Sequence, residues 1–299
     1  MAVTANEFAL FLEPKLSNIW HDAFPAEESK FSRVMNVRDM KKSTVTDAKL
    51  AGFGSLQNQS DGGEFTYDDP IAPVTKAYTW ATRALGYKIT ERIWKDDQYD
   101  EVQRFERDLL DSAKDDSETS AAALFNNAFG TTNTGFDGLQ LISTAHTRMD
   151  GGSNGTNRPA TDEALSLSAL HSSVIRIKKL VNDRGRPRVH NPKTLVIPSD
   201  LIIVAAELLE SERKPGTANN DSNVLRKYGL IDMEWEHLTS TTAWYVVCDK
   251  HDLNFLWHMK PTSGMETEFE TESINRKVRQ QYVVGFGEWR GVDGSDGVA

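Results

Sequence analysis

The 299-residue chain reads as an α+β protein, and two observations predict it. From Glu91 to Phe129 neither Pro nor Gly interrupts the sequence, which is the signature of one long helix. Beyond Met233, short apolar or alternating runs separated by turn residues read as successive strands. Helices therefore come first and strands last, and no βαβ alternation is expected.

Composition narrows the function classes. Hydrophobic residues make up 38% and charged residues 26%, ordinary globular usage. A mean hydropathy of -0.51 leaves a good share of the chain for loops, arms and solvated helix. The formal net charge of -10 argues against a protein that grips nucleic acid, because that affinity comes from Lys and Arg neutralising phosphates. The lone cysteine, Cys248, permits no intrachain disulfide, and its apolar run Trp244–Cys248 marks it as a small buried hydrophobe in a reducing compartment. The start, Met1-Ala2-Val3-Thr4, lacks the basic and apolar regions of a signal peptide. Apolar runs such as Leu201 to Ala206 fall far below the ~18 residues of a membrane span. A cytoplasmic origin without a membrane is the expectation.

In chain order, residues 4–24 read as an amphipathic helix. Thr4 and Glu7 form a capping box, and Phe8, Leu12, Leu16, Ile19 and Ala23 recur at helical spacing. Phe11, Trp20 and Phe24 widen the stripe, and Pro14 kinks or divides it. Residues 43–90 read as a long two-stranded excursion. Its outward arm is Ser43–Leu50, its tip is the Gly-rich stretch Gly52–Gly63, and its return arm is Lys76–Ile89. Apolar groups on both faces mean that this hairpin must lie on another surface, since a lone hairpin is marginal in water.

The long helix spans about 38 residues, roughly 55 to 60 Å at the α-helical rise. Trp94, Val102, Phe105, Leu109, Ala113, Leu124 and Ala128 form its apolar side, and Gly130 ends it. No heptad is sustained, so it reads as a strut. A second helix carries Leu170, Val174, Ile177 and Val181, with Gly185 as its stop. Thr194–Ile197 reads as a buried strand, Pro198-Ser199-Asp200 as the cap of a helix through Leu209, and Ser211–Asn223 as a polar loop. Strands are expected at 233–237, 244–248, 254–259, 266–273 and 276–284.

The motifs that could carry chemistry lack their contexts. Gly151-Gly152-Ser153-Asn154-Gly155 matches a nucleophile elbow, but no strand feeds it and no helix leaves it. The same stretch echoes a calcium loop, yet Gly152 offers no side-chain oxygen and Thr161 stands where a Glu is needed. Seven histidines, His21, His146, His171, His190, His237, His251 and His258, show no zinc spacing and read as surface or satisfied core residues. Gly285-Phe286-Gly287 with Gly291 is a near miss to a dinucleotide fingerprint, because no helix follows. Asp68-Asp69, Asp96-Asp97 and Asp115-Asp116 point apart, unlike an acid/base dyad. The basic run Lys178, Lys179, Arg184, Arg186 and Arg188 reads as a partner for acidic faces of a neighbouring subunit. No catalytic residue, metal or cofactor is expected.

The order of parts resembles the major capsid proteins of tailed bacteriophages, with their Hong Kong 97-type fold. Four stretches carry the resemblance: Ile89-Thr90-Glu91-Arg92 opening the long acidic helix, Asn191–Pro198 with its helix, Trp244–Asp249, and the ending Tyr282–Gly291. The resemblance implies an N-terminal arm over 1–42, an extended E-loop over 43–89, and a peripheral-domain spine helix over 90–134. It further implies a mainly axial domain over 135–250 and closing strands of the peripheral domain over 251–299. It implies a shell of hexamers and pentamers enclosing double-stranded DNA without sequence-specific binding, made in the host cytoplasm and ending in the virion.

Inter-subunit contacts are then expected at Phe8, Phe11, Trp20, Phe53, Leu56, Phe65, Trp80, Arg184, Arg186 and Arg188. With only about 42 residues before the E-loop and Met1 in place, the resemblance implies a separate scaffolding protein, along with a portal. Some members of the family crosslink a Lys to an Asn. Here Lys49 lies near the E-loop without an identifiable partner, and no crosslink is expected. Encapsulin-like compartments share the fold, and a tail component or a hydrolase using Ser153 are the other readings.

Overall fold

The computed structural model describes residues 29–90, 93, 101–214, 222–268, 270–271 and 273–297. The expected N-terminal helix with Phe8, Phe11 and Trp20, the position of Trp94, and the middle of the polar loop after Ser211 lie outside the described residues.

A one-turn helix, α1 (Phe31–Val34), leads into β1 (Asn36–Asp39). The strands β2 (Val45–Ala51), β3 (Ile71–Tyr78) and β4 (Ala81–Thr90) follow. Then come α2 (Glu101–Asn126), α3 (Leu167–Lys178), β5 (Pro192–Ile197), α4 (Ile202–Glu210) and β6 (Ile231–Glu234). The chain ends with β7 (Trp244–Cys248), β8 (Leu253–Glu268), β9 (Ser273–Phe286) and β10 (Val292–Ser295). Two four-stranded sheets, ordered β1-β8-β9-β4 and β10-β7-β5-β6, and the two-stranded β2-β3 hairpin organise these elements.

Period-2 alternation explains how one sheet serves two cores. All five residues of β7 are buried. Tyr245 and Val247 enter a core with Leu124 and Phe125 of α2 and with Phe255 and Tyr282 of β8 and β9. Trp244, Val246 and Cys248 enter a second core with Leu170 and Ile177 of α3 and Ala205 and Leu208 of α4. Each large apolar side chain buried in this way contributes about 1.5 to 3 kcal/mol. The Tyr245 hydroxyl reaches Phe125 O at 2.9 Å, so the polar end of that ring is satisfied where it is buried. In α3, the Ser166 hydroxyl caps the helix by accepting from Ala169 N at 3.2 Å.

The fold class holds, and four local expectations change. The return arm Lys76–Ile89 is two strands: β3 pairs with β2, whereas β4 leaves the hairpin and pairs with β9 from Ala81↔Tyr282 to Thr90↔Ser273. The expected strands 254–259 and 266–273 are one strand, β8, in which register shifts around Met259 accommodate Pro261, a residue with no N–H to donate to the ladder. Helix α3 stops at Lys178, because the Asn182 side chain accepts from the amides of Arg184 at 3.0 Å and Arg186 at 2.9 Å and folds the next residues into a turn. That turn contains Gly185, at φ +72°. Finally, β5 and β6 run parallel through a crossover containing α4, so one βαβ unit does exist. Buried Ala205 and Leu208 let α4 cover the face that such a parallel return requires.

Candidate inter-subunit surface

The β2-β3 hairpin projects from this body, and its root is built from charge. Lys49, at the outer end of β2, places its ammonium 2.7 Å from Asp183 Oδ2 and also against Glu288 Oε2. Arg290 closes the group, with Nη1 2.8 Å from Glu288 Oε1, Nη2 3.3 Å from Asp183 Oδ1, and Nε donating to Val181 O at 2.7 Å. Its guanidinium lies over the Trp289 ring, 4.6 Å from the centroid. Two cations thus face two carboxylates in a partly dry site. Burial pushes the Asp183 carboxyl up, but the hydrogen bond from Lys49 and the charge of Arg290 outweigh it and hold the group below the usual carboxylate value.

The turn after α3 grips the hairpin backbone. Arg184 donates to Gly52 O at 2.9 Å and Asp69 O at 2.5 Å, and Arg186 donates to Phe53 O at 2.7 Å. On the other strand, Lys76 donates to Thr134 O at 2.5 Å and Phe286 O at 2.6 Å. Desolvation lowers the Lys76 pKa, against the opposing pull of Asp252 and Asp47. Beside this root lies a polar cleft of about 690 Å³ lined by Arg38, Lys49, Arg188, Lys250 and Glu288 among others.

The expected contact residues divide into three groups. Phe53, Leu56 and Phe65 stand on the hairpin with 62%, 100% and 73% of their surface exposed. Trp80 is half-buried in its own subunit, donating from Nε1 to Lys42 O at 3.1 Å and packing against His258. Arg184 and Arg186 hold the hairpin of their own chain, while Arg188 is exposed. Sequence reasoning missed Asp183, Glu288 and Arg290, since nothing local links them to Lys49. The adjacent Glu288-Trp289-Arg290 triplet was the one visible hint.

The remaining motifs take structural places. His146 and Gly155 bridge two short segments, and Ser153 is exposed on the turn between them. His146 is buried, with Nδ1 2.6 Å from Asp137 Oδ2 and Nε2 3.0 Å from Asn157 Oδ1, and it stacks on Trp289 at 4.1 Å. Gly291, at φ +105°, leads into strand β10, where a dinucleotide site would need a helix. Burial pushes the Cys248 thiol up to about 12, so it is no nucleophile at neutral pH. Among the described residues no His, Cys, Asp and Glu group could hold a metal ion, and no helix is long and apolar enough to cross a membrane.

Comparison with solved structures finds the same fold in other chains. A chain from Microbacterium phage Oxtober96 superposes with a TM-score of 0.56 at 12% identity, over 90% of this chain and 91% of that one. A chain from the capsid of cyanophage P-SCSP1u gives 0.60 at 10% identity, over 87% and 85%. A chain from the capsid of a native GTA particle gives 0.60 at 9% identity, over 92% of each chain. No curated protein matches in sequence. The family profile described as phage capsid protein matches residues 73–292, most of the chain. The chain therefore belongs to the phage capsid protein family and is a structural major capsid protein of the head shell.

Proposed function

We propose that copies of this chain assemble as hexamers and pentamers into a closed icosahedral head enclosing double-stranded DNA. The observation that carries this is the hairpin. Leu50, Phe53, Leu56, Phe65 and Tyr67 expose 60%, 62%, 100%, 73% and 92% of their surface on a single projection. An exposed apolar projection of this kind marks an interaction site. Phe53, Leu56 and Phe65 are contacts with a neighbouring copy, and the segment carrying Phe8, Phe11 and Trp20 is a second clasp. The net charge of -10 suits a wall along which DNA slides without being gripped. A separate scaffolding protein and a portal complete the reading, with synthesis in the host cytoplasm and a final place in the virion. The arm, E-loop, spine, axial and closing-strand divisions are carried forward, with the E-loop ending at Tyr78 rather than at residue 89.

Light scattering on the purified chain, followed by electron microscopy, tests this. Closed polyhedral particles, or hexamers and pentamers that close when a scaffold is added, are the expected result. A species that stays monomeric at all concentrations and salts, with or without scaffold, would overturn it.

A further inference from the structure

The polar cleft beside the hairpin root gathers more positive charge than its own carboxylates meet. It has a volume of about 690 Å³ and lies between β1, β2, the turn after α3 and the turn joining β7 to β8. Six cations line it, Arg38, Lys49, Arg184, Arg188, Lys250 and Arg290, against four carboxylates, Asp47, Asp183, Asp252 and Glu288. In a chain of net charge -10, a cleft with cations in excess runs against the average.

The four carboxylates are already engaged. Asp183 and Glu288 are held by Lys49 and Arg290. Asp252 accepts from Glu288 N at 2.9 Å and from Asn254 Nδ2 at 2.8 Å. Asp47 lies beside Lys76 and the Tyr78 hydroxyl. Arg184 is spent on the hairpin carbonyls of Gly52 and Asp69. Arg38, Arg188 and Lys250 remain, exposed and with no ion-pair partner among the described residues.

These three cations come from separate segments that the fold holds in place. Arg38 shares a face of β1 with Asn36, which donates to His251 O at 3.1 Å, and with Met40, which packs on the Val45 and Tyr78 cluster at the hairpin root. The His190 ring donates from Nδ1 to Lys250 O at 3.0 Å and so fixes the turn that carries Lys250. Burial lowers the pKa of His190 and of His251, and the charges of Arg188 and Lys193 add to it, so both rings are neutral at neutral pH. The positive charge of the cleft therefore rests on Arg and Lys alone.

Like charges converging on one recess cost free energy unless an anion shares it. The volume falls within the range of small-ligand sites. Two guanidinium forks and an ammonium suit phosphoryl oxygens, which the Arg groups can take in bidentate pairs. A recess of this size accepts a few phosphate groups and not a duplex.

We propose that the cleft is a binding site for a small polyvalent anion of the polyphosphate class, held by Arg38, Arg188 and Lys250. The anion joins β1, the turn after α3 and the β7–β8 turn around the foot of β2, and it stiffens the hairpin root. The site is independent of the shell reading, since a single unassembled copy contains all of it.

Calorimetric titration of the unassembled chain with sodium tripolyphosphate tests this. The expected result is one site whose affinity falls as sodium chloride is added. Arg38→Ala, Arg188→Ala and Lys250→Ala should each weaken it about tenfold or more, because each removes a charge-assisted bond. All three side chains are exposed and unpaired in the fold, so the melts of the free variants should match wild type. Lys250→Arg should keep its affinity, and so should Arg226→Ala, which pairs with Glu212 outside the cleft. Tripolyphosphate should also slow hydrogen exchange in β2 of the wild type but not of the triple Ala variant. A wild-type chain that binds no tripolyphosphate would overturn the proposal. Equal binding by the triple variant would overturn it too, since it would mark diffuse condensation on the surface. A short DNA duplex that binds the wild type and loses affinity in the triple variant would assign the phosphates to nucleic acid and overturn the choice of a small free anion.

Discussion

Arg276 on β9 and Glu106 on α2 form an ion pair across the outer layer, with Arg276 Nε 3.1 Å from Glu106 Oε2 and the side chains 4% and 0% exposed. The Tyr87 hydroxyl donates to the same carboxylate at 2.8 Å, tying β4 into the group. The pair fixes the register of the long helix against the sheet on which the edge strand lies.

Removing one partner of a buried pair leaves an uncompensated charge. Arg276→Ala should therefore cost about 3 to 5 kcal/mol. Tyr87→Phe, which removes a single hydrogen bond to a charged group, should cost about 1.5 to 3 kcal/mol. Urea denaturation of the unassembled chain measures both, and equal costs would argue against the pair as the main tie.

At the hairpin root, Arg290→Ala would leave Asp183 and Glu288 facing Lys49 alone. A loss of about 3 to 5 kcal/mol is expected. Faster hydrogen exchange in β2 and β3 should accompany it, whereas β7 should stay protected. Because the Asp183 carboxyl is held below its ordinary value, its stabilisation is present at neutral pH and is lost as pH falls through the lowered value.

Asp293 behaves in the opposite sense. It is buried on β10 and receives Arg176 Nε at 2.9 Å and Nη2 at 2.7 Å. Burial raises its carboxyl from 3.8 to about 6, although the hydrogen bond from Arg176 pulls it down. A carboxyl raised in the folded state stabilises the fold fully below its unfolded value, and that contribution is lost as pH rises through the folded value. The stability difference between wild type and Asp293→Asn should therefore shift by about 2 kcal/mol against the wild type between pH 4 and pH 7. Chemical denaturation at each pH reads this directly, and a flat difference would contradict it.

Cys248 is 2% exposed in the second core, and its thiol is pushed up to about 12. Its modification by a thiol reagent should proceed only as fast as the chain opens, with a full single equivalent released in denaturant. Rapid labelling of the native chain would show that α3 and α4 do not cover β7 as described.

The sequence by itself determined what is local. The run without Pro or Gly gave the helix that α2 occupies. The continuous apolar stretch Trp244–Cys248 is a strand buried on both faces, and the Gly-rich segment after Ala51 is the hairpin tip. These features depend on periodicity and backbone propensity, which neighbouring residues set. Only the tertiary structure decided which strand pairs with which. Nothing in Lys76–Ile89 indicates that the chain changes partner at Trp80, because β3 and β4 have similar texture and differ only in the strand that closes on them. Likewise, Lys49, Asp183, Glu288 and Arg290 become one group only when β2, the turn after α3 and the end of β9 meet. An ion pair acts over a few ångströms of space and carries no trace in sequence spacing. The hairpin's direction was therefore invisible until the chain closed.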